Sequence, residues 1–139
     1  VLLLVIALSI VLQSWVPVLL FGLPRFYGGF LMYAVILTQH SGLDQDVFDH
    51  RLNSRTIYMN PIMGFLYMDM QYHIEHHLYP IVPFHSLRKL HEKIKDQEPE
   101  PYKGMGAVYK EMVPALIRQI KDPKAVIVRK IPFVPNTSN

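Results

Sequence analysis

The chain has 139 residues, half of them hydrophobic, with no cysteine and a formal net charge of +3. That is the size of one ordinary domain, and the missing thiols exclude disulfide scaffolds, thiolate zinc sites and iron–sulfur clusters. The 11 Asp and Glu residues are interleaved with the 14 Lys and Arg residues and no nucleic-acid-binding motif is present, so the basic surplus points to anionic lipid headgroups rather than to nucleic acid.

The apolar residues are concentrated at the start, where Arg25 is the only charged side chain before His40. This is the composition of membrane-embedded sequence, not of a soluble core. The run has no basic stretch ahead of it and no small-residue cleavage site behind it, so it does not read as a signal peptide, and the opening on Val1 reads as an excerpt of a longer protein. A crossing takes about 20 residues. Residues 1–38 therefore predict two crossings, the first truncated, with a turn between Trp15 and Gly29. Pro17, Gly22, Pro24, Gly28 and Gly29 cluster there, and Trp15, Phe26 and Tyr27 suit a headgroup belt. One span over Val1–Leu23 is the alternative.

The second apolar segment runs into Gln39-His40-Ser41-Gly42-Leu43. A histidine at a membrane exit is either an interfacial polar residue or a metal ligand, and spacing leaves both open. All Lys and Arg residues except Arg25 follow His40, which predicts a cytoplasmic location for everything after it. Asp44 to Tyr58 is polar and turn-like, with most of its charges expected to be solvated or mutually paired. His50 reads either as a loop-bracing residue or as a support for a ligating imidazole.

Asn60-Pro61 predicts a helix start, Asn capping free N–H groups and Pro giving up a donor that would be orphaned. The helix is expected to run from about Pro61 to His77. Tyr72-His73-Ile74-Glu75-His76-His77-Leu78-Tyr79-Pro80 packs three imidazoles into five residues. At 100° per residue, His73, His76 and His77 fall at roughly 0°, 300° and 40°, one arc of one helix face. Nitrogen donors of this kind suit a borderline metal such as iron, zinc, copper or nickel. Ile74 stands where the zinc protease motif needs Glu, and the deaminase pattern needs a cysteine pair. Asp69, four residues before His73, is a candidate to orient that ring, whereas Glu75 points off the arc and is not counted as a ligand.

Pro80 and Pro83 stop this helix. Ser86 is placed to cap a basic amphipathic helix with Leu87, Leu90 and Ile94 on one side and Arg88, Lys89, Lys93 and Lys95 on the others, which suits an anionic membrane surface or packing on the protein. His85 and His91 read as surface residues. A loop over Asp96 to Lys103 precedes a helix from about Met105 to Lys121, interrupted by Pro114. Ala125 to Arg129 suggests a short strand, and the end through Pro132, Pro135 and Thr137 is expected to fray.

The histidine stretch with its flanks resembles the third histidine box of the membrane fatty acid desaturases and hydroxylases. Gln39-His40-Ser41-Gly42-Leu43, Asp49-His50-Arg51-Leu52-Asn53, Arg55-Thr56 and Pro83-Phe84-His85-Ser86-Leu87 are similar to the bacterial branch of that family. The resemblance implies iron ligation by His73, His76 and His77, with His40 as the lone extra ligand after the last span; Asp69 and His50 remain supporting candidates. It also implies two iron ions, O2 as co-substrate, a fatty acyl lipid substrate and a lipid membrane, the bacterial inner membrane. Electrons would come from a separate donor of ferredoxin, rubredoxin or cytochrome b5 type.

The first two boxes of the family are missing from these residues, so the excerpt alone is expected to be inactive. The fold expectation is all-α: a membrane helical hairpin over residues 1–40, a cytoplasmic helical cap over 41–122 and a C-terminal tail over 123–139. Desaturation is the expected reaction, with alkyl hydroxylation or a non-enzymatic membrane module as alternatives.

Overall fold

A computed structural model describes residues 1–132. Helices dominate it, and strand is confined to two two-residue segments, so the all-α class holds. Two compact units result, Val1–Ile36 and Leu37–Asn139.

In the first unit, helix α1 (Leu2–Val11) is followed by a turn in which Gln13 takes a φ of 46°. A π-helical turn, Val18–Gly22, then leads into helix α2 (Leu23–His40). Val5 is buried, and Gly22 leaves it room to approach. Among the described residues only Val18–His40, 23 residues, is long and apolar enough to cross a membrane. The 10-residue α1 reaches about 15 Å, half of a hydrocarbon core. One candidate crossing and a shorter apolar helix thus stand where two crossings, the first truncated, are expected, and the turn between them falls at residues 12–15, of which only Trp15 lies within the expected window.

Pro24 explains why the expected turn is helix instead. In an unbroken α-helix its ring would clash with the carbonyl four residues earlier, and the wider π turn absorbs that conflict. Gly28 and Gly29 are tolerated because apolar helices of this kind accept glycine readily.

The second unit begins with the last turn of α2. Arg55, fully buried, donates to the carbonyls of Thr38 at 3.1 Å and Ser41 at 2.8 Å. It thereby satisfies acceptors that a helix end leaves orphaned. The expectation that most charges between Asp44 and Tyr58 are solvated or paired with another charge has an exception in Arg55. It holds at Asp49, which caps helix α3 (His50–Asn53) through the Arg51 N–H and pairs with the Arg51 guanidinium at 2.7 Å. Gly42, at a φ of 81°, turns the chain, and its carbonyl accepts from the Ile127 N–H at 2.7 Å. The strand expected at Ala125–Arg129 reduces to this one bridge, Leu43 with Ile127.

Strand β1 (Ile57–Tyr58) pairs in parallel with β2 (Tyr102–Lys103), Ile57 opposite Tyr102. Helix α4 (Pro61–Leu66) starts as predicted, with Asn60 Oδ1 accepting from the Met63 N–H at 2.9 Å. It does not continue to His77. Residues 67–72 form a turn with Met68 and Asp69 at φ of 53° and 51°, and helix α5 (His73–Leu78) begins afresh. Two contacts draw this segment out of the helix: the Ile57 N–H donates to the Gln71 carbonyl at 3.0 Å, and Thr56 bridges Tyr72.

Helix α6 (Leu87–Ile94) has Ser86 at its N-cap position without a side-chain cap bond. Helix α7 (Met105–Lys121) matches its predicted limits but runs through Pro114 without the expected interruption. Ile57, Val108 and Met112 form the buried core, with Met59, Tyr102 and Tyr109 packed around it. Residues 133–139, with Pro135 and Thr137 of the expected frayed end, lie outside the described residues.

Candidate metal centre

His40 is the last residue of α2, and His73 and His77 stand one turn apart on α5. Their Nε2 atoms converge: 2.8 Å from His40 to His73, 3.2 Å from His73 to His77 and 3.4 Å from His40 to His77. The rings meet edge to face, with interplanar angles of 68°, 89° and 77° in the same order. This is the packing of three nitrogens around a shared point, not of a stacked aromatic core.

The tautomer of His40 follows from its other nitrogen. Nδ1 lies 2.8 Å from the Asn53 carbonyl, which can only accept, so the proton sits on Nδ1 and the Nε2 lone pair faces the cluster. A ligating imidazole commonly donates its outer N–H in this way. His73 is pushed down to about 3, by burial first and then by the imidazoles of His40, His77 and His76. Burial and the rings of His40, His50 and His76 bring His77 to about 4. Both are neutral at physiological pH, with lone pairs available. An imidazole-only donor set fits a borderline cation such as iron.

The other expected site residues are placed differently. His76 lies on the flank, its ring centroid 5.8 Å from that of His73 and 5.7 Å from that of His77. Its nitrogens are not among those that converge. His50 stacks on His77 at 4.9 Å, and its Nδ1 lies 3.3 Å from Asn53 Oδ1. It braces the ring by contact, while Asn53 serves both histidines.

Asp69 does not share a helix face with His73, because the residues between them are the turn described above. Its Oδ1 accepts from Gln71 Nε2 at 3.1 Å. A cleft of about 340 Å³ beside His50 has a mixed lining, Asp49, Arg51, Gln97 and Glu98 with Phe48, Leu78, Tyr79 and Ile94.

Sequence reasoning missed four contributors. The Asn53 carbonyl has no side-chain signature. Arg55 looked like one charge among many. Glu75 was set aside as pointing away from the ligands, and it does so into a fully buried cluster with His91 and Glu98. His91, expected at the surface, is 1% exposed; its position on the inner face of α6, beside Leu87 and one turn from it, was the available signal.

Comparison of the chain with curated proteins and with solved structures gives no match. The family model described as Fatty acid desaturase matches residues 1–109, a span that contains the apolar helices, all three converging histidines and His76. The chain belongs to the fatty acid desaturase family.

Proposed function

We propose that this chain supplies part of the ligand set of an integral-membrane, di-iron, O2-dependent fatty acyl lipid desaturase. The observation that carries the reading is the convergence of three imidazole Nε2 atoms, from two helices far apart in sequence, in a member of this family. His40, His73 and His77 would hold metal, and His76, next to them on the same helix, would complete the set toward a second ion. Four histidines cannot fill the coordination spheres of two irons, so the remaining donors come from outside these residues. Bound iron would supply the oxidation, with O2, that removes hydrogen from an unactivated alkyl C–H.

The chain's own residues prepare that chemistry. Burial keeps His73 and His77 unprotonated, so they present lone pairs rather than competing protons. The Asn53 carbonyl fixes which nitrogen His40 offers. Arg55 ties down the carbonyls of Thr38 and Ser41, on either side of His40, which holds that ligand where the apolar helix ends and an acyl chain in the bilayer can reach it. Electrons come from a separate donor of ferredoxin, rubredoxin or cytochrome b5 type on the cytoplasmic side.

The test uses the intact protein in membranes. Wild type is expected to carry iron and to yield lipids two hydrogens lighter by mass spectrometry. His40→Ala, His73→Ala and His77→Ala are each expected to lose iron and to reduce product at least about 100-fold. An iron-free wild type, or alanine variants with full activity, would overturn the reading; products one oxygen heavier would reassign it to hydroxylation.

A further inference from the structure

The side of α5 away from the metal ligands carries a second polar cluster that metal binding does not use. Glu75 lies two residues from both His73 and His77, roughly 200° around the helix from each, so it leaves the face opposite the imidazoles. It is fully buried. Its Oε2 accepts from Thr56 Oγ1 at 2.6 Å, and its Oε1 accepts directly from His91 Nδ1. On the far side of that ring, Nε2 meets the Tyr58 hydroxyl at 2.8 Å, and Glu98 Oε2 lies 3.5 Å from Nδ1. Glu75 and His91 are in direct hydrogen-bond contact, so a proton joins them.

Helix α5 has six residues, too few to hold an orientation by its own hydrogen bonds. Its rotation about its axis must be set from outside. A ring nitrogen stands roughly 6 Å from the axis, so a turn of about 20° moves it by about 2 Å, whereas metal–ligand distances hold to within about 0.2 Å. Removing a buried carboxylate from water is expensive unless every partner is in place. The bonds to Thr56 and His91, pulling from two different elements, together favour the rotation in which both are made.

We infer that Glu75, clamped between Thr56 and His91, is a positioning residue that sets the rotation of α5 so that His73 and His77 meet His40. The inference rests on the reading that these three nitrogens take a metal. It goes beyond ordinary core stabilisation because it links a residue on the far face to ligand geometry rather than to stability alone.

Titration of the detergent-solubilised chain with Co2+, whose visible absorption reports coordination geometry, tests it. Glu75→Ala is expected to bind Co2+ at least about tenfold more weakly and with a shifted band. Glu75→Gln, which keeps an acceptor for Thr56, is expected to recover most of that affinity. Met112→Ala, a cavity in the separate Ile57–Val108–Met112 core, is expected to lower the melting temperature while leaving the Co2+ affinity and band at wild-type values.

Wild-type affinity and band in Glu75→Ala would overturn the inference, as would an equal loss in Met112→Ala. Should Glu75→Ala fail to fold, Thr56→Val carries the same test, with an expected loss of about threefold and a band shift; an unchanged titration there overturns it too. A wild-type chain with no Co2+ band sensitive to His73→Ala would instead remove the metal reading underneath, which is a distinguishable result.

Discussion

His91 shows how one buried residue makes stability depend on pH. Burial by itself would lower its pKa, but the hydrogen bonds to Glu75, Glu98 and Tyr58 prevail and push it up to about 11. A folded value above the unfolded one, near 6.5, means the stabilisation is complete below about pH 6.5 and is lost as pH rises toward about 11. Glu98, raised to about 7 chiefly by burial, acts on the acid side of that window, so pH 8 to 10 isolates His91. Thermal unfolding is expected to show wild type more stable than His91→Gln at pH 7, with the gap narrowing steadily at higher pH; a gap that widens would contradict the assignment. Burial of His91 had a signal in its place beside Leu87, but its bonds to Glu75 and Tyr58 had none, because those residues lie 16 and 33 positions away. The imidazoles of the box were legible, because their spacing along one helix is itself the signal. His40 was legible as a candidate, but the carbonyl that orients it was not, since every residue has one.

Helix starts were easier to read than helix interruptions. Asn60-Pro61 begins α4 through the cap its sequence implies, and Asn60→Ala is expected to lower stability by about 1 kcal/mol, measured by chemical denaturation. The break after Leu66 carries no such mark, since residues 65–72 contain neither Gly nor Pro. It is imposed by pairing with the β1 region, and it uses Gly64, where an added Cβ would sit 2.9 Å from Gln71 Nε2. Gln71 is 2% exposed and cannot swing into solvent. Gly64→Ala is therefore expected to cost about 1–3 kcal/mol in the same measurement. The apolar start misled in the opposite sense: Pro and Gly, read as a turn, sit within continuous helix because a π turn accommodates the proline.

At the scale of the molecule, Trp15, Leu20, Phe21, Phe26 and Phe30 are largely exposed, a surface suited to lipid. With no native cysteine, Lys103→Cys and Lys124→Cys report topology without background. A membrane-impermeant maleimide is expected to label both in inverted vesicles and neither in intact cells; labelling in intact cells would place this region on the opposite side. The bridge from Ile127 to Gly42 also bears on how such a sequence can drift. The family match ends at residue 109, yet Ala115 is buried beside Gly42 and the Ile127 N–H holds the turn just after His40. Ala115 and Ile127, placed beside Gly42, act as a fastening for the loop that carries His40, so losing them would disturb the candidate metal centre without altering a single histidine.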